Sequence, residues 1–180
     1  MNSLLDIIGS YVIRGIILIA IVRMTISFHS HLCEKLEQAN LDGQLSTVAT
    51  VIRSDFRLAG FNSLVKPFTK IGAQETEFLA DIDNDSTVEN VHYYLSDPPG
   101  GRHPRSHMML YRSIDSEIGK VVSSQIIYMN IEYFDNLGQL TTDNTKVNSV
   151  NLTIKIESSY AVNDRFLESA WQVHLFPPNL

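Results

Sequence analysis

The first 60 residues set the tightest limit on what this chain can become. Residues 4–28, LLDIIGSYVIRGIILIAIVRMTISF, are its most apolar stretch. About 20 apolar residues in a helix cross a bilayer, and the window Ile7–Phe28 is long enough. Arg14 and Arg23 interrupt it, and an arginine at the centre of a span costs roughly 2.5–3.5 kcal/mol. Arg23 lies near enough to the end to snorkel; Arg14 sits between apolar runs. No basic region precedes the run and no A-x-A site follows it, which disfavours a cleaved secretory signal. Three placements satisfy the pattern: a membrane anchor, a helix buried in an assembly, or a core helix of a soluble domain. The pattern favours the anchor.

The helical period continues beyond the apolar run. Leu32 and Leu36 recur at a four-residue step, and Leu41, Leu45, Val48, Ile52, Phe56 and Ala59 follow at steps of three or four. Gly43, in Asn40-Leu41-Asp42-Gly43, is a candidate break. Gly60 is a good stop, because glycine takes the left-handed conformation without strain. A helix with one apolar stripe needs a surface to lie on.

After Gly60 the period becomes two. Phe78, Ala80 and Ile82 share a face, as do Val91, Tyr93 and Leu95; His107–Arg112 is a short apolar run. Ile127, Met129, Ile131 and Tyr133 alternate with polar neighbours, and so do Val150, Leu152, Ile154 and Ile156; Trp171, Val173 and Leu175 close the set. Half-buried strands of this kind favour antiparallel pairing. No helix-length pattern separates them. The expectation is therefore an α+β fold, with a long N-terminal helix over residues 1–60 packed on an antiparallel sheet over 61–180.

Charge follows the same division. Five basic and five acidic residues balance in 1–60, so the sheet segment carries the whole net charge of −6. That balance argues against a nucleic-acid partner. With 44% hydrophobic residues over 180 positions, the chain can bury a core without disulfides. Its single cysteine, Cys33, excludes an internal disulfide and a thiolate zinc cage.

The layout resembles that of type IV pilins and type II secretion pseudopilins. Ile52-Arg53-Ser54-Asp55-Phe56-Arg57-Leu58-Ala59-Gly60-Phe61 is similar to the end of the long helix in minor pilins and minor pseudopilins, where an Asp-x-Arg-x-Ala-Gly-aromatic string recurs. Phe78–Asp85, Val91–Leu95 and Leu110–Ser113 resemble early sheet strands of that group, and Ile131–Gly138 a later strand and turn. The resemblance implies a non-enzymatic minor subunit of a pilus-like or secretion-like filament. It implies an inner-membrane anchor, an extracytoplasmic sheet, and other pilin-like subunits as partners in a hetero-oligomer or cell-surface filament. Ile13, Ile16, Ile17, Leu18, Ile21 and Val22 would carry assembly, with Arg14 meeting a neighbour's carboxylate. It also implies leader cleavage between Gly9 and Ser10, followed by methylation. The chain departs from the family there. No basic residue precedes Gly9, and the fifth residue after it is Arg14 instead of the family's glutamate. The alternative reading is a membrane-tethered extracytoplasmic binding domain that does not polymerise.

Other constellations carry less. Asp81, Asp83, Asp85 and Glu89 place hard oxygens at alternate positions of a turn, which suits calcium. An EF-hand wants glycine and glutamate where this chain has Ser86 and His92, and a solvated acidic turn explains the pattern more simply. No other cofactor is implied. His29 and Cys33 stand one helical turn apart, with no third ligand placed. His103, Ser106 and His107 lie in a stretch expected to be a solvated loop, without a nucleophile elbow. Pro98–Arg102 precedes no helix and is no phosphate cradle.

Overall fold

The computed structural model describes residues 2–98, 107–115 and 117–180. One helix, α1 (Asn2–Leu58), is followed by seven strands: β1 (Phe68–Ile71), β2 (Glu75–Ala80), β3 (Glu89–Ser96), β4 (Met108–Ile114), β5 (Lys120–Phe134), β6 (Ser149–Glu157) and β7 (Glu168–Leu175). They form one antiparallel sheet in sequence order, each strand beside the next. The fold is α+β.

The helix is continuous through Gly43, so the candidate break there does not occur. Burial of the neighbouring stripe outweighs the ~1 kcal/mol that a helical glycine costs. Leu41, Leu45, Val48, Ile52, Phe56 and Ala59 are all buried, on the face the spacing indicates. Each large aliphatic or aromatic group taken out of water contributes about 1.5–3 kcal/mol. Leu32 and Leu36 share a four-residue step with each other, but the five residues from Leu36 to Leu41 turn them to the opposite face of α1, and both are exposed. So α1 has two halves. From Glu37 to Leu58 it lines the sheet; from Ile7 to Leu36 most of its surface is bare.

The sheet curls round the packed half. Phe56 stands 4.9 Å from Phe78, and Phe68 meets Tyr133 edge-on at 5.8 Å. Beyond the end of β4, the turn before β2 reaches the open edge of β5, where the Ile131 amide donates to the Ala73 carbonyl at 2.9 Å. Strand β7 follows the direction of α1: Ser169 donates to Asp42, Trp171 lies under Arg53, and Gly60 abuts Asn179.

One strand departs from simple alternation. A bulge between Ile126 and Tyr128 rotates the first part of β5. Ile126 is therefore buried along with Met129, Ile131 and Tyr133, while Ile127, expected inside, is only half-buried. Strand β1 and the 3-10 turn Asn144–Lys146 are not marked by sequence period.

Candidate functional site

Among the described residues, most of the exposed large hydrophobic side chains lie on the bare half of α1. From Ile7 to Phe28 it has the length and composition of a candidate membrane span. This stretch measures about 33 Å at ~1.5 Å per residue, close to the ~30 Å hydrocarbon core of a bilayer. Ile13, Ile16, Ile17, Leu18, Ile21 and Val22 all lie on it, between 50% and 66% exposed. They point round the helix instead of forming one stripe. A helix apolar on all sides is stable in lipid or among other helices, and unfavourable in water.

Arg14 stands within this segment. Its guanidinium lies 6.0 Å from the Tyr11 ring, a cation–π contact one helical turn back. Gly9 and Ser10 are helical, and a side chain added at Gly9 would meet nothing within 4 Å.

At the other end of α1, Asp55, Ala59 and Gly60 of the string Ile52–Phe61 have structural tasks, whereas Arg57 is exposed. Asp55 points inward and is 4% exposed. Its Oδ2 accepts from the Tyr93 hydroxyl at 2.6 Å and from Arg112 Nε at 2.5 Å. Burial, and then the Asp55 charge, push the Tyr93 phenol well above its ordinary range. Ala59 is fully buried, and Gly60 has φ +82°. A Cβ on Gly60 would lie 2.5 Å from the Asn179 carbonyl oxygen, while its amide donates to the Leu79 carbonyl at 2.8 Å. The string is thus the joint that turns the helix into the sheet. The helical period itself puts Asp55 on the buried face, three residues after Ile52 and four before Ala59; what the sequence does not mark is its partners, which lie far along the chain.

The acidic turn gathers as its spacing suggests. Oxygens of Asp81, Asp83, Asp85 and Glu89 come within 4.8 Å of one another, the only cluster of three or more metal-competent groups among the described residues. Those oxygens also serve the turn itself. Asp81, 1% exposed, accepts from Asn62 Nδ2 at 2.6 Å and from the Asp85 and Ser86 amides at 3.2 and 3.1 Å. Glu89 accepts from the Ile82 amide at 2.9 Å. The Thr87 amide and hydroxyl hold Asp85 below the ordinary carboxylate range. Asn84 and Ser86, both at positive φ, let the backbone point these amides inward. Calcium takes about 6–8 oxygens, so four carboxylates alone leave part of a shell to water, carbonyl oxygens or bidentate binding.

The remaining candidates separate. His29 Nε2 and Cys33 Sγ are 3.8 Å apart on the exposed helix. His103, Ser106 and the 99–102 portion of the proline–glycine loop lie outside the described residues. His107 corrects the expectation of a solvated loop: it is 7% exposed, and its Nε2 sits 2.9 Å from Glu157 Oε2, itself buried. Buried polar groups are hydrogen-bonded, and here each of the two is a partner of the other inside the sheet layer. Trp171 is half-buried beneath Arg53, 5.8 Å from the guanidinium.

Comparison with protein-family models gives no match, and comparison with curated proteins gives none either.

Proposed function

We propose that this protein is a structural minor subunit of a type IV pilus-like or type II secretion-like filament, without catalytic activity. The observation that supports this reading is the division of α1. One unbroken helix has a bare apolar half, and its other half is the inner layer of an antiparallel sheet. The bare half rests in the inner membrane, with the acidic sheet on the extracytoplasmic side. On assembly it leaves lipid and enters a bundle of neighbouring apolar helices. Replacing lipid contacts by helix contacts changes little apolar exposure, so packing and polar pairing decide the partners. Arg14 is the group that sets this choice. An arginine among apolar helices is expensive unless paired, and Gly15 beside it lets another helix approach. A neighbour's carboxylate would complete it, which favours a hetero-oligomer over a homopolymer. Processing between Gly9 and Ser10, with methylation of the new amine, belongs to the same reading.

Site-directed cross-linking tests it. Ile17 replaced by the photo-cross-linking residue p-benzoylphenylalanine, irradiated in native membranes, should trap pilin-like subunits through their own apolar helices, since the excited ketone inserts into a neighbouring C–H bond and needs no partner thiol. A chain that is membrane-bound, accessible to protease from the extracytoplasmic side, and never cross-linked would instead be the tethered binding domain. A chain recovered only from the aqueous fraction would overturn both.

A further inference from the structure

The connection between β6 and β7 leaves the sheet and runs down the helix toward its bare half. Val162 and Arg165 form a small bridge, with amide-to-carbonyl distances of 2.7 and 3.1 Å. Asn163 and Asp164 between them both have positive φ, the geometry of a tight type I′ turn. Three contacts pin this loop to α1. The Tyr160 hydroxyl donates to Glu37 at 2.7 Å, Arg165 lies 3.7 Å from Glu34, and Ser30 donates to Asn163 at the tip. The tip and the helix enclose a cleft of about 560 Å³, lined by Ile26, His29 and Cys33 on one side and Tyr160–Asn163 on the other.

The level of this tip is informative. Between Arg23 and Glu34 the helix carries no Lys, Arg, Asp or Glu. Its apolar span ends at Phe28, and its first carboxylates beyond the span, Glu34 and Glu37, are those that the loop binds. The stretch His29–Cys33 is therefore the passage from hydrocarbon to water, about 7 Å of helix. The loop tip lies beside that stretch. Its exposed residues Tyr160, Ala161, Asn163, Asp164 and Arg165 mix an aromatic ring and a small apolar group with polar ones, as headgroup-level segments do, while Val162 is buried within the loop.

We propose that Ala161–Asn163 rest in the headgroup layer of the bilayer that holds the helix. The sheet then stands on the membrane at two points, the helix and this loop, and the loop fixes the depth and tilt of the anchor. The proposal depends on the membrane reading of Ile7–Phe28. Its partner is the lipid surface itself.

Tryptophan quenching in full-length protein tests it. With Trp171→Phe as background, single reporters are placed by Ala161→Trp at the tip, Phe28→Trp on the span, and Phe176→Trp beyond the far end of β7. Each variant is reconstituted in phosphatidylethanolamine–phosphatidylglycerol vesicles. The vesicles carry either headgroup-nitroxide or chain-brominated phosphatidylcholine. Headgroup nitroxide should quench the tip reporter at least twofold more than the one at 176, and brominated chains should quench the reporter at 28. Tyr160→Trp, conservative in size, gives a second reading of the loop should the Ala161 variant lose its circular-dichroism spectrum. Quenching at 28 with both loop reporters behaving like 176 would overturn this proposal and leave the anchor standing. No quenching at 28 would overturn the anchor and the proposal together.

Discussion

Arg112 Nε donates to Asp55 Oδ2 at 2.5 Å, joining the middle of the sheet to the helix across 57 residues of sequence. The Asp55 carboxylate is almost wholly removed from water, whereas a fifth of the Arg112 side chain remains exposed. Tyr93 donates to the same oxygen. Two donors on one buried carboxylate orient the helix on the sheet more tightly than apolar packing alone, which tolerates sliding.

Removing that acid should be costly. Asp55→Ala leaves Arg112 and the Tyr93 hydroxyl without their acceptor, and breaking a buried pair in this way costs about 3 kcal/mol or more. Asp55→Asn keeps an acceptor and should lose less. Urea unfolding of the sheet domain measures both. A change below about 0.5 kcal/mol for the alanine variant, the scale of ordinary surface substitutions, would mean that the triad does not hold helix to sheet.

Gly60, just past the end of α1, and Gly43, within it, make opposite predictions. Gly60 has φ +82° and its Cβ direction is blocked by the Asn179 backbone. Gly60→Ala should therefore destabilise by roughly 1–3 kcal/mol. Gly43 has open space around it within an ordinary helix, so Gly43→Ala should stabilise by up to about 1 kcal/mol. Thermal melting of the two variants side by side reads the contrast, and equal shifts would refute it.

Truncation separates anchor from core. Deleting residues 1–28 takes away the apolar span and leaves the buried stripe from Leu41 to Ala59 on the sheet. The remainder should be soluble without detergent and melt cooperatively. If it aggregates while the full chain is soluble on its own, the N-terminal segment belongs to a soluble core instead.

Stability should fall in alkali. Burial raises Tyr133 to about 12, and burial with the Asp55 charge raises Tyr93 further. A folded-state pKa above the unfolded value of about 10 means the native state holds its proton longer. The stabilisation is fully present below about pH 10 and is lost as pH rises toward 12 and beyond. Phenolate absorbance should show these two of the seven tyrosines ionising only as circular dichroism is lost. Titration of all seven near pH 10 with the fold intact would contradict the burial.

Arg14 discriminates between pairing and snorkelling. Arg14→Glu should abolish recovery with pilin-like neighbours, because it sets like charge against the proposed carboxylate. Arg14→Leu should be milder, since only the partner's acid is left alone. Neither should move the melting of the sheet domain, which Arg14 does not touch. Normal incorporation of the glutamate variant would leave Arg14 as a lone cation stacked on Tyr11.

The sequence by itself determined the elements that repeat. The six-residue helical stripe from Leu41 to Ala59 and the alternating strand Val150–Ile156 were legible because each is set by its own period, and burial follows the period. The acidic cluster was legible too, since its four members lie within nine residues of one another. Tertiary structure decided everything that depends on a distant partner. Asp55 and Glu37 stand on the face of the apolar stripe, four residues before Ala59 and Leu41, but the groups that satisfy them there, Arg112 and Tyr160, lie far along the chain, and His107 and Glu157 are buried against one another. The bulge that buries Ile126 in place of Ile127 comes from how β5 meets β6, not from either strand alone. What covers the helical stripe is the plainest case. Its period demands a surface, but that Ser169 and Trp171 of β7 meet Asp42 and Arg53 on α1 depends on residues more than a hundred positions away, which no local period encodes.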